Sequence, residues 1–398
     1  MRLAQRVSSI QPSATLSINA KAKALKAQGQ QIISFGVGEP DFPTPHHIQQ
    51  MAIQAIYRNQ SRYTAVGGID ELKTAVADTI EADYGLRYTP EQVIVSCGGK
   101  QVLYNLMQVL LEPGDEALIP APYWVSYPDL VTLAGATPVA VPCREQDGFK
   151  LTAERLESAL TESSRMLILN SPCNPTGAHY SREELSRLAE VLRARQDLII
   201  VSDDIYYRIL FGGEPWCNLA MLDPQLRKRT VIVNGLSKTY AMTGWRIGYG
   251  LGDPAIIRAA VKIQSQSTSN PCSISQWAGV AALRGDQSEV RTMVASFEQR
   301  CRFVVDSLRS IPGVTCPQPA GAFYVFPNVS HYYGKQAQGY AVDSSLEMAE
   351  YLMEQAHIAV VPGGAFGEDR CIRLSYALAH EEIKEGLSRL AQALQELR

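Results

Sequence analysis

This 398-residue sequence has no apolar run of 18 residues, no large excess of either charge and no cysteine pair at C-x-x-C spacing. Without such an apolar run, the chain offers no candidate for a transmembrane helix. The first residues also lack the apolar core of a signal peptide, so we expect a cytoplasmic protein. The formal net charge is -3 and the short basic cluster lies at 227–229, which predicts neither nucleic acid nor a membrane surface as a partner.

The eight cysteines are scattered along the chain, and their spacing argues against zinc and dithiol redox motifs. We predict no metal site and expect most of the thiols to be small buried groups in a reducing compartment. The cysteines are Cys97, Cys143, Cys173, Cys217, Cys272, Cys301, Cys316 and Cys371.

What the sequence does contain is a series of seven short apolar runs, most of them separated by helical patterns. The runs are continuous rather than alternating, which is typical of strands covered on both faces. With 46% hydrophobic residues, the chain can also bury a large core and form about two domains. We predict an α/β fold whose mostly parallel sheet carries its functional loops at the carboxyl ends of the strands. The runs are 93–97, 116–119, 138–141, 166–169, 198–201, 230–233 and 246–250.

A lysine follows the sixth of these runs. Lys238 lies among small and hydroxyl residues just past an apolar strand, where partial loss of water favours the neutral, nucleophilic amine. Such an amine can form a Schiff base with an aldehyde. Ser237 and Arg246 are close in sequence and suited to a phosphate. An aldehyde-binding amine beside phosphate donors is what pyridoxal phosphate requires of a protein.

Polar and aromatic side chains follow other strands of the predicted sheet. Gly99 and Lys100 open a helix, whose unpaired N–H groups can bind an anion. Trp124 could stack on a planar ring, and Tyr206 could reach the oxygen of the same ring. Asp203, buried beside an apolar strand, would need a cation such as a protonated pyridine nitrogen.

A proline-flanked asparagine lies after the fourth run, in the stretch 170–177. Asn174 could present its amide to a ligand from this position. The stretch also makes a cis bond at Asn174–Pro175 plausible, although cis is the minority form of any X-Pro bond.

Six short motifs occur in the order found in one family, and the loop GGKQ at 98–101 is typical of one of its branches. The six are GVGEPDF at 36–42, PYW at 122–124, NPTG at 174–177, DDIY at 203–206, SK at 237–238 and RLSY at 373–376. The chain resembles the class I pyridoxal-phosphate aminotransferases of fold type I, most closely the bacterial aspartate aminotransferases with a Gly-Gly-Lys-Gln loop. The resemblance covers essentially the whole chain. It implies pyridoxal phosphate as the cofactor, a large domain with a mostly parallel seven-stranded sheet and a small α+β domain.

The resemblance also implies a role for each residue of a cofactor site. Lys238 would hold the cofactor covalently and shuttle the substrate's proton, while Asp203 would pair with the pyridine nitrogen. Tyr206 and Asn174 would bond the phenolic oxygen, and Trp124 would stack on the ring. The phosphate would be bound by Gly99, Lys100, Ser237 and Arg246.

An amino acid and a 2-oxo acid would exchange nitrogen at this one site, which predicts ping-pong kinetics. By the same resemblance, Arg373 would bind the substrate's α-carboxylate in a bidentate manner, with Asn174 and the backbone of Gly38 beside it.

The distal carboxylate of a dicarboxylic substrate needs a second cation. The segment 264–269 holds no arginine, so the resemblance makes Lys100 the candidate, with Ser13 and Thr15 lining the same pocket. A single lysine specifies a carboxylate less strictly than an arginine fork. An aromatic or prephenate aminotransferase therefore stays open as an alternative, as does a C–S β-lyase of the same fold.

The resemblance further implies a homodimer whose active sites are shared, because Tyr63 would reach the phosphate of the neighbouring subunit. We expect an N-terminal segment at 1–45 that packs with a small domain at 286–398, and a large cofactor-binding domain at 46–285. Substrate binding would draw the small domain onto the large one.

Overall fold

The computed structural model describes residues 2–10, 12, 14–213 and 215–398. Its strands are β1 (Ile33–Ser34), β2 (Val93–Ser96), β3 (Glu116–Ala121), β4 (Thr137–Pro142), β5 (Ser164–Asn170), β6 (Ile199–Asp203), β7 (Thr230–Gly235), β8 (Gly248–Leu251), β9 (Tyr324–Val325), β10 (Lys335–Ala337), β11 (Tyr340–Val342), β12 (Ile358–Ala359), β13 (Val361–Pro362) and β14 (Ile372–Ser375). Its α-helices are α1 (Gln5–Ser8), α2 (Ala14–Ala27), α3 (His46–Tyr57), α4 (Asp70–Tyr84), α5 (Gly99–Leu110), α6 (Ser126–Leu133), α7 (Ala153–Ala159), α8 (Arg182–Arg193), α9 (Pro224–Lys228), α10 (Pro254–Ser265), α11 (Ser273–Arg284), α12 (Ser288–Arg309), α13 (Ser345–Gln355) and α14 (His380–Glu396).

The largest sheet has seven strands in the order β2–β8–β7–β6–β5–β3–β4. Strand β8 is antiparallel to both of its neighbours, and the other pairs are parallel. Each of the seven runs predicted from the sequence overlaps one strand of this sheet. The predicted α/β fold with a mostly parallel seven-stranded sheet is confirmed.

The side chains of the parallel strands alternate between two apolar layers. Leu167 and Leu169 of β5 pack in a cluster with the buried face of α8, whereas Met166 and Ile168 pack in a cluster with α5 and α6. Because both faces of the sheet are covered, the strands read as continuous apolar runs rather than as alternating ones. Polar side chains accumulate where these strands end, and those ends meet at one edge of the sheet.

The N-terminal segment packs against elements from the other end of the chain. Strand β1 pairs in parallel with β12, with Ile33 opposite Ile358. Nearby, Phe35 shares one apolar cluster with residues of α12, α13 and α14 and of the small antiparallel sheet β13–β14–β9. The domain boundaries at residues 45 and 285 stay a prediction.

One predicted strand differs from the strand observed. The run 246–250 begins as a strand only at Gly248, because Arg246 adopts a left-handed backbone conformation with φ 56° after the short 3-10 turn Thr243–Trp245. A strand requires extended backbone, so Arg246 cannot belong to it.

The predicted cis bond at Asn174–Pro175 is wrong. The cis bonds of the described residues are Ala121–Pro122 and Ser171–Pro172. At Asn174 the chain instead forms a turn, in which the N–H of Gly177 donates a hydrogen bond of 2.7 Å to the carbonyl oxygen of Cys173. The trans form is the ordinary one for an X-Pro bond.

Among the described residues, no helix combines the length and the apolar character needed to cross a membrane.

Candidate active site

A cavity of about 440 Å³ opens at the carboxyl ends of β5, β6 and β7, beside the first turn of α5. The structure brings twelve of the residues singled out from the sequence to its walls. They are Thr15, Gly38, Gly99, Lys100, Trp124, Asn174, Asp203, Tyr206, Ser237, Lys238, Arg246 and Arg373. Ser13 lies outside the described residues. Tyr63 does not line this cavity.

Lys238 follows β7 and lies partly buried in the cavity wall. Its Nζ donates a hydrogen bond of 2.6 Å to the carbonyl oxygen of Gly38. Burial lowers the pKa of Lys238 to about 8, although the negative charge of Glu39 acts in the opposite direction. A larger share of the amine is therefore neutral near neutral pH than in an ordinary lysine, which favours nucleophilic attack.

Asp203 is the last residue of β6 and is buried. Tyr127 of α6 donates a hydrogen bond of 2.7 Å to its Oδ2, and the N–H of Ile205 donates to its Oδ1 at 3.3 Å. Burial raises the pKa of Asp203 to about 6, and the hydrogen bond from Tyr127 partly offsets this. The carboxyl group is thus fixed in place and would be stabilised as an anion by a cationic ligand.

The beginning of α5 forms an anion-binding corner. Gly98 has φ 85°, and a Cβ at this position would lie 2.4 Å from the guanidinium of Arg246. A Cβ at Gly248 would lie 2.1 Å from the backbone nitrogen of Gly99. The helix N-terminus, the guanidinium and the hydroxyl of Ser237 all border the cavity. Free N–H groups at a helix start, together with a guanidinium, are suited to a phosphate.

Arg373 in β14 is buried, with 1% of its surface exposed. Its guanidinium donates to Asn174 Oδ1 at 3.1 Å and to the carbonyl oxygen of Gly36 at 2.8 Å, and its Nε has no partner in the described chain. The rings of Tyr324 and Phe366 lie 4.7 and 5.2 Å from the guanidinium carbon. A buried guanidinium that contacts only neutral groups can bind an anionic ligand.

Tyr206 follows β6 on the side of the cavity that also holds Arg373. Its hydroxyl lies 2.9 Å from the hydroxyl of Tyr324, and burial raises the pKa of Tyr206 well above its usual value. The phenol is therefore neutral near neutral pH and can donate to a ligand oxygen.

The residues considered for a substrate side chain also line the cavity. The ammonium of Lys100 lies 4.9 Å from the centre of the Trp124 ring, and Thr15 of α2 borders the same space. Trp124 also makes an edge contact with Tyr127, at 5.3 Å between the ring centres. The side chain of Lys100 thus lies at the cavity, beside an aromatic ring.

Tyr63 lies apart from these residues. It is 93% exposed, in the segment that follows α3, and Ile53, Ile56 and Tyr57 of that helix are exposed as well. Within the described residues there is no group of three or more His, Cys, Asp or Glu side chains that could hold a metal ion.

Two tyrosines of the site could not be recognised in the sequence. Tyr127 and Tyr324 contact Asp203 and Tyr206, from which they are separated by 76 and 118 residues. Each lies in an apolar stretch, where a tyrosine ordinarily packs in the core. The signal that could have indicated Tyr127 is its position three residues after Trp124, within a segment already expected to end near the ligand.

Comparison with known proteins gives one consistent result. Residues 30–390 match the family model described as aminotransferase class I and II. The chain is 48% identical to an aspartate/prephenate aminotransferase of Cereibacter sphaeroides, over 98% of this chain and 97% of that protein. It is 47% identical to an aspartate aminotransferase of Geobacillus stearothermophilus, over 98% of both chains.

Solved structures agree with these relatives. The aspartate aminotransferase of Rhizobium meliloti superposes with a TM-score of 0.97 at 44% identity, covering 100% of both chains. The aspartate aminotransferase of Thermus thermophilus with maleate superposes with a TM-score of 0.92 at 38% identity, covering 99% of this chain and 100% of that chain.

Proposed function

Because this chain belongs to the class I and II aminotransferases and is an enzyme that moves an amino group between an amino acid and a 2-oxo acid, we propose that it uses pyridoxal phosphate and prefers aspartate or glutamate. One observation carries the proposal. The amine of Lys238, the buried carboxyl of Asp203 and the buried guanidinium of Arg373 border the same cavity.

The residues of the cavity fit this cofactor. Asp203 is buried in an environment that would favour a cationic ring nitrogen beside it. Gly98 has no room for a side chain next to the guanidinium of Arg246, as expected of a site where backbone approaches a phosphate. Lys238 would hold the cofactor covalently through its amine. The remaining contacts would come from Trp124 on the ring face, Tyr206 and Asn174 at the phenolic oxygen, and Ser237 and the α5 N-terminus with Lys100 at the phosphate.

Bound pyridoxal phosphate supplies a ring that withdraws the electron pair left when the α-carbon of the substrate loses its proton. Lys238 takes that proton at Nζ and later returns one, which its lowered pKa makes possible near neutral pH. Asp203 holds a proton on the ring nitrogen by its negative charge. Arg373 binds the α-carboxylate through a bidentate pair of hydrogen bonds and thereby orients the α-carbon–hydrogen bond that is broken.

The preference for a dicarboxylic substrate rests on Lys100. Its ammonium lies beside Trp124 at the cavity wall, and Thr15 lines the same cavity, where Ser13 would also contribute. The names of the relatives support this preference, and so does the Thermus structure with maleate, since maleate carries two carboxylates. The aspartate/prephenate name of the Cereibacter relative favours prephenate as an additional acceptor. The aromatic ring of Trp124 beside Lys100 is compatible with it.

We propose further that the enzyme is a homodimer in which Tyr63 reaches the partner's phosphate site. The exposed apolar side chains of α3, next to Tyr63, are what a contact with a second copy would cover. We also propose the two domains given above, in agreement with the cluster that joins the N-terminal segment to α12, α13 and α14. A cytoplasmic location is supported by the eight cysteines, all of which are free.

The test is a half-reaction screen. The purified enzyme loaded with pyridoxal phosphate is mixed with one amino acid at a time, and conversion to the amino form of the cofactor is followed by absorbance. We expect conversion with aspartate and glutamate and none with the Lys238→Ala variant. A Lys238→Ala enzyme that converts as fast as the parent enzyme would overturn the proposal. Release of pyruvate from a cysteine conjugate without nitrogen transfer would indicate a lyase instead.

A further inference from the structure

The loop at residues 36–45 is bonded to the segment that carries Lys238. Lys238 Nζ donates to the carbonyl oxygen of Gly38 at 2.6 Å, and the hydroxyl of Thr243 donates to Oε2 of Glu39 at 2.7 Å. All four of these residues border the cavity. Two successive residues of the loop thus contact this segment: Gly38 contacts Lys238, and Glu39 contacts Thr243.

The same loop is also bonded at its other end and to α12. The hydroxyl of Thr44 donates to the carbonyl oxygen of Ala241 at 2.8 Å. Asp41, the second acid of the loop, instead forms an ion pair of 2.7 Å with Arg300 of α12. The loop therefore carries two acids with different neighbours, of which only Glu39 lines the cavity.

Four charged side chains act on the amine of Lys238. Burial lowers its pKa most, and among the charges Glu39 has the largest effect, in the raising direction. Arg373 and Arg246 lower the pKa of Lys238, and Asp203 raises it. Of the two acids, Asp203 is already committed to hydrogen bonds with Tyr127 and the N–H of Ile205 and would answer the ring nitrogen of the cofactor. Glu39 is the acid left to balance a protonated Lys238.

We propose that Glu39 is a positioning residue for Lys238: anchored by the hydroxyl of Thr243, it holds the Gly38 carbonyl oxygen against the lysine and provides the negative charge that the free ammonium faces. The inference rests on the proposed function, in which Lys238 alternates between a covalent bond and a free amine. While free, Lys238 carries the proton taken from the substrate on Nζ. Glu39 and the Gly38 oxygen keep that ammonium at the cavity wall, near the carbon to which a proton must be returned.

The proposal can be tested on the full-length protein without cofactor. Acetic anhydride acetylates the neutral amine only, so the rate at Lys238, measured by peptide mass spectrometry between about pH 6 and 10, gives the pKa of this one lysine. Glu39→Gln removes the charge and keeps an oxygen for Thr243. Because Glu39 is exposed and water screens its charge, we expect the pKa of Lys238 to fall by about half a unit, which is about threefold faster acetylation below the pKa.

Two further variants separate charge from anchoring. Asp41→Asn removes an equal charge from the same loop, at a residue whose partner is Arg300, and should leave the pKa of Lys238 unchanged. Thr243→Val keeps the charge of Glu39 and removes its anchor, and should lower the pKa of Lys238 by a smaller amount than Glu39→Gln. Urea midpoints equal to that of the parent protein would show that the variants are folded.

The outcomes decide the matter. An unchanged pKa in Glu39→Gln, or an equal fall in Glu39→Gln and Asp41→Asn, would overturn the role of Glu39. A Thr243→Val protein indistinguishable from the parent would overturn the anchoring role of Thr243 and with it the proposal as stated. Acetylation requires neither pyridoxal phosphate nor an amino acid, so failure of the proposed function, tested by the half-reaction screen, would be seen separately.

Discussion

The charged side chains of the cavity are bonded to neutral groups. Lys238 donates to a backbone oxygen, and Arg373 donates to an amide oxygen and a backbone oxygen. Removing a charge from water without an opposite charge costs several kcal/mol in other proteins. A bound substrate carboxylate would offset that cost for Arg373, so in the proposed function the substrate would be held by a group whose charge the fold leaves uncompensated.

Tyr127 provides a test of how Asp203 is fixed. Tyr127→Phe removes a hydrogen bond to a buried carboxylate, of a kind worth about 1.5–3 kcal/mol in other proteins. We expect the half-reaction rate to fall at least about tenfold for every amino acid alike, because the proposed role of Asp203 is toward the cofactor and not toward the substrate side chain. Tyr123→Phe, four residues earlier in the chain and without a hydrogen bond to Asp203, serves as the control. A Tyr127→Phe enzyme as fast as the Tyr123→Phe enzyme would contradict this prediction.

Lys100 provides the test of substrate preference. In Lys100→Ala the distal carboxylate of aspartate loses its proposed cation, whereas an aromatic side chain does not need one. We expect the ratio of half-reaction rates for aspartate and phenylalanine to fall at least about tenfold, which corresponds to about 1.4 kcal/mol. Equal losses for both amino acids would remove Lys100 from the explanation of specificity.

The role of a site residue could therefore be predicted from the sequence only where its residue type is uncommon at such a position. Lys238, Asp203 and Arg246 stand next to apolar strands, where charged residues are uncommon, and all three border the cavity. Tyr127 and Tyr324 carry a hydroxyl on a ring that packs well in any core, so their residue type alone does not distinguish them. Their roles depend on contacts across 76 and 118 residues of chain.

Among the elements, the start of α5 depends on close packing against β8. A Cβ on Gly248 would lie 2.1 Å from the backbone nitrogen of Gly99, and backbone atoms cannot give way as a flexible side chain can. The helix N-terminus would have to move away from Arg246. The phosphate would then lose backbone donors.

Gly248→Ala is accordingly expected to weaken binding of pyridoxal phosphate at least about tenfold, since one or two hydrogen bonds to a charged group would be lost. The measurement is the dissociation constant of the cofactor, by absorbance or fluorescence. Gly244→Ala is the matched control, because a Cβ at Gly244 meets no atom within 4 Å. If Gly248→Ala binds the cofactor as tightly as Gly244→Ala and unfolds at the same urea concentration, the close approach is not required.

The end of β6 carries a second buried acid directly after Asp203. Asp204 accepts hydrogen bonds from Ser202, Asn218 and Tyr84, at 2.7, 2.8 and 3.0 Å. Burial raises the pKa of Asp204 to about 8, although these hydrogen bonds oppose the shift. Near neutral pH the folded chain therefore holds a proton here that the unfolded chain releases.

A pH dependence of stability follows from that difference. An unfolded aspartate has a pKa of about 3.9, so the folded chain binds more protons than the unfolded chain between about pH 4 and 8. The stabilising effect is complete below this window and is lost as the pH rises through about 8. Asp204→Asn, which cannot ionise, should make the free energy of unfolding by urea fall less between about pH 5 and 8 than in the parent protein. An identical fall in both proteins would contradict the prediction.

Elements were predictable from the sequence where their apolar residues follow one period. The seven strands of the large sheet have continuous apolar patterns, and they were found within a few residues of their ends. Helix α11 was not predicted. Its buried face includes Ser273, Ser275, Gln276 and Gly279 beside alanines, so small and polar residues conceal the helical period.

At the scale of the whole molecule, the exposed side chains near α3 are the strongest indication of a partner copy. Ile56 and Tyr57 are 55% and 82% exposed, and Tyr63 is 93% exposed. Soluble chains seldom leave a group of large apolar side chains uncovered without a binding role. The sequence could assign Tyr63 to a partner only through family resemblance, because a contact between two copies leaves no pattern within one chain.

Tyr63→Phe tests whether the active site is shared. The side chain is exposed in the single chain, so removal of its hydroxyl should not change folding or, by itself, dimerisation. We expect the dissociation constant of pyridoxal phosphate to rise about tenfold, the effect of one lost hydrogen bond to a charged group. Tyr57→Phe, also exposed but not expected at the phosphate, is the control, and sedimentation gives the oligomeric state. Equal cofactor affinity in the two variants would contradict a role for Tyr63 across the interface.

The pairing of β1 with β12 has a consequence for how the protein is made. All seven strands of the large sheet lie between residues 93 and 251, so that sheet can assemble while the rest of the chain is still being translated. Strand β1 leaves the ribosome before any of them, yet its hydrogen-bonding partner, Ile358–Ala359, is synthesised after all seven. Strand β1 must therefore wait, unpaired, until every strand of the large sheet has been made.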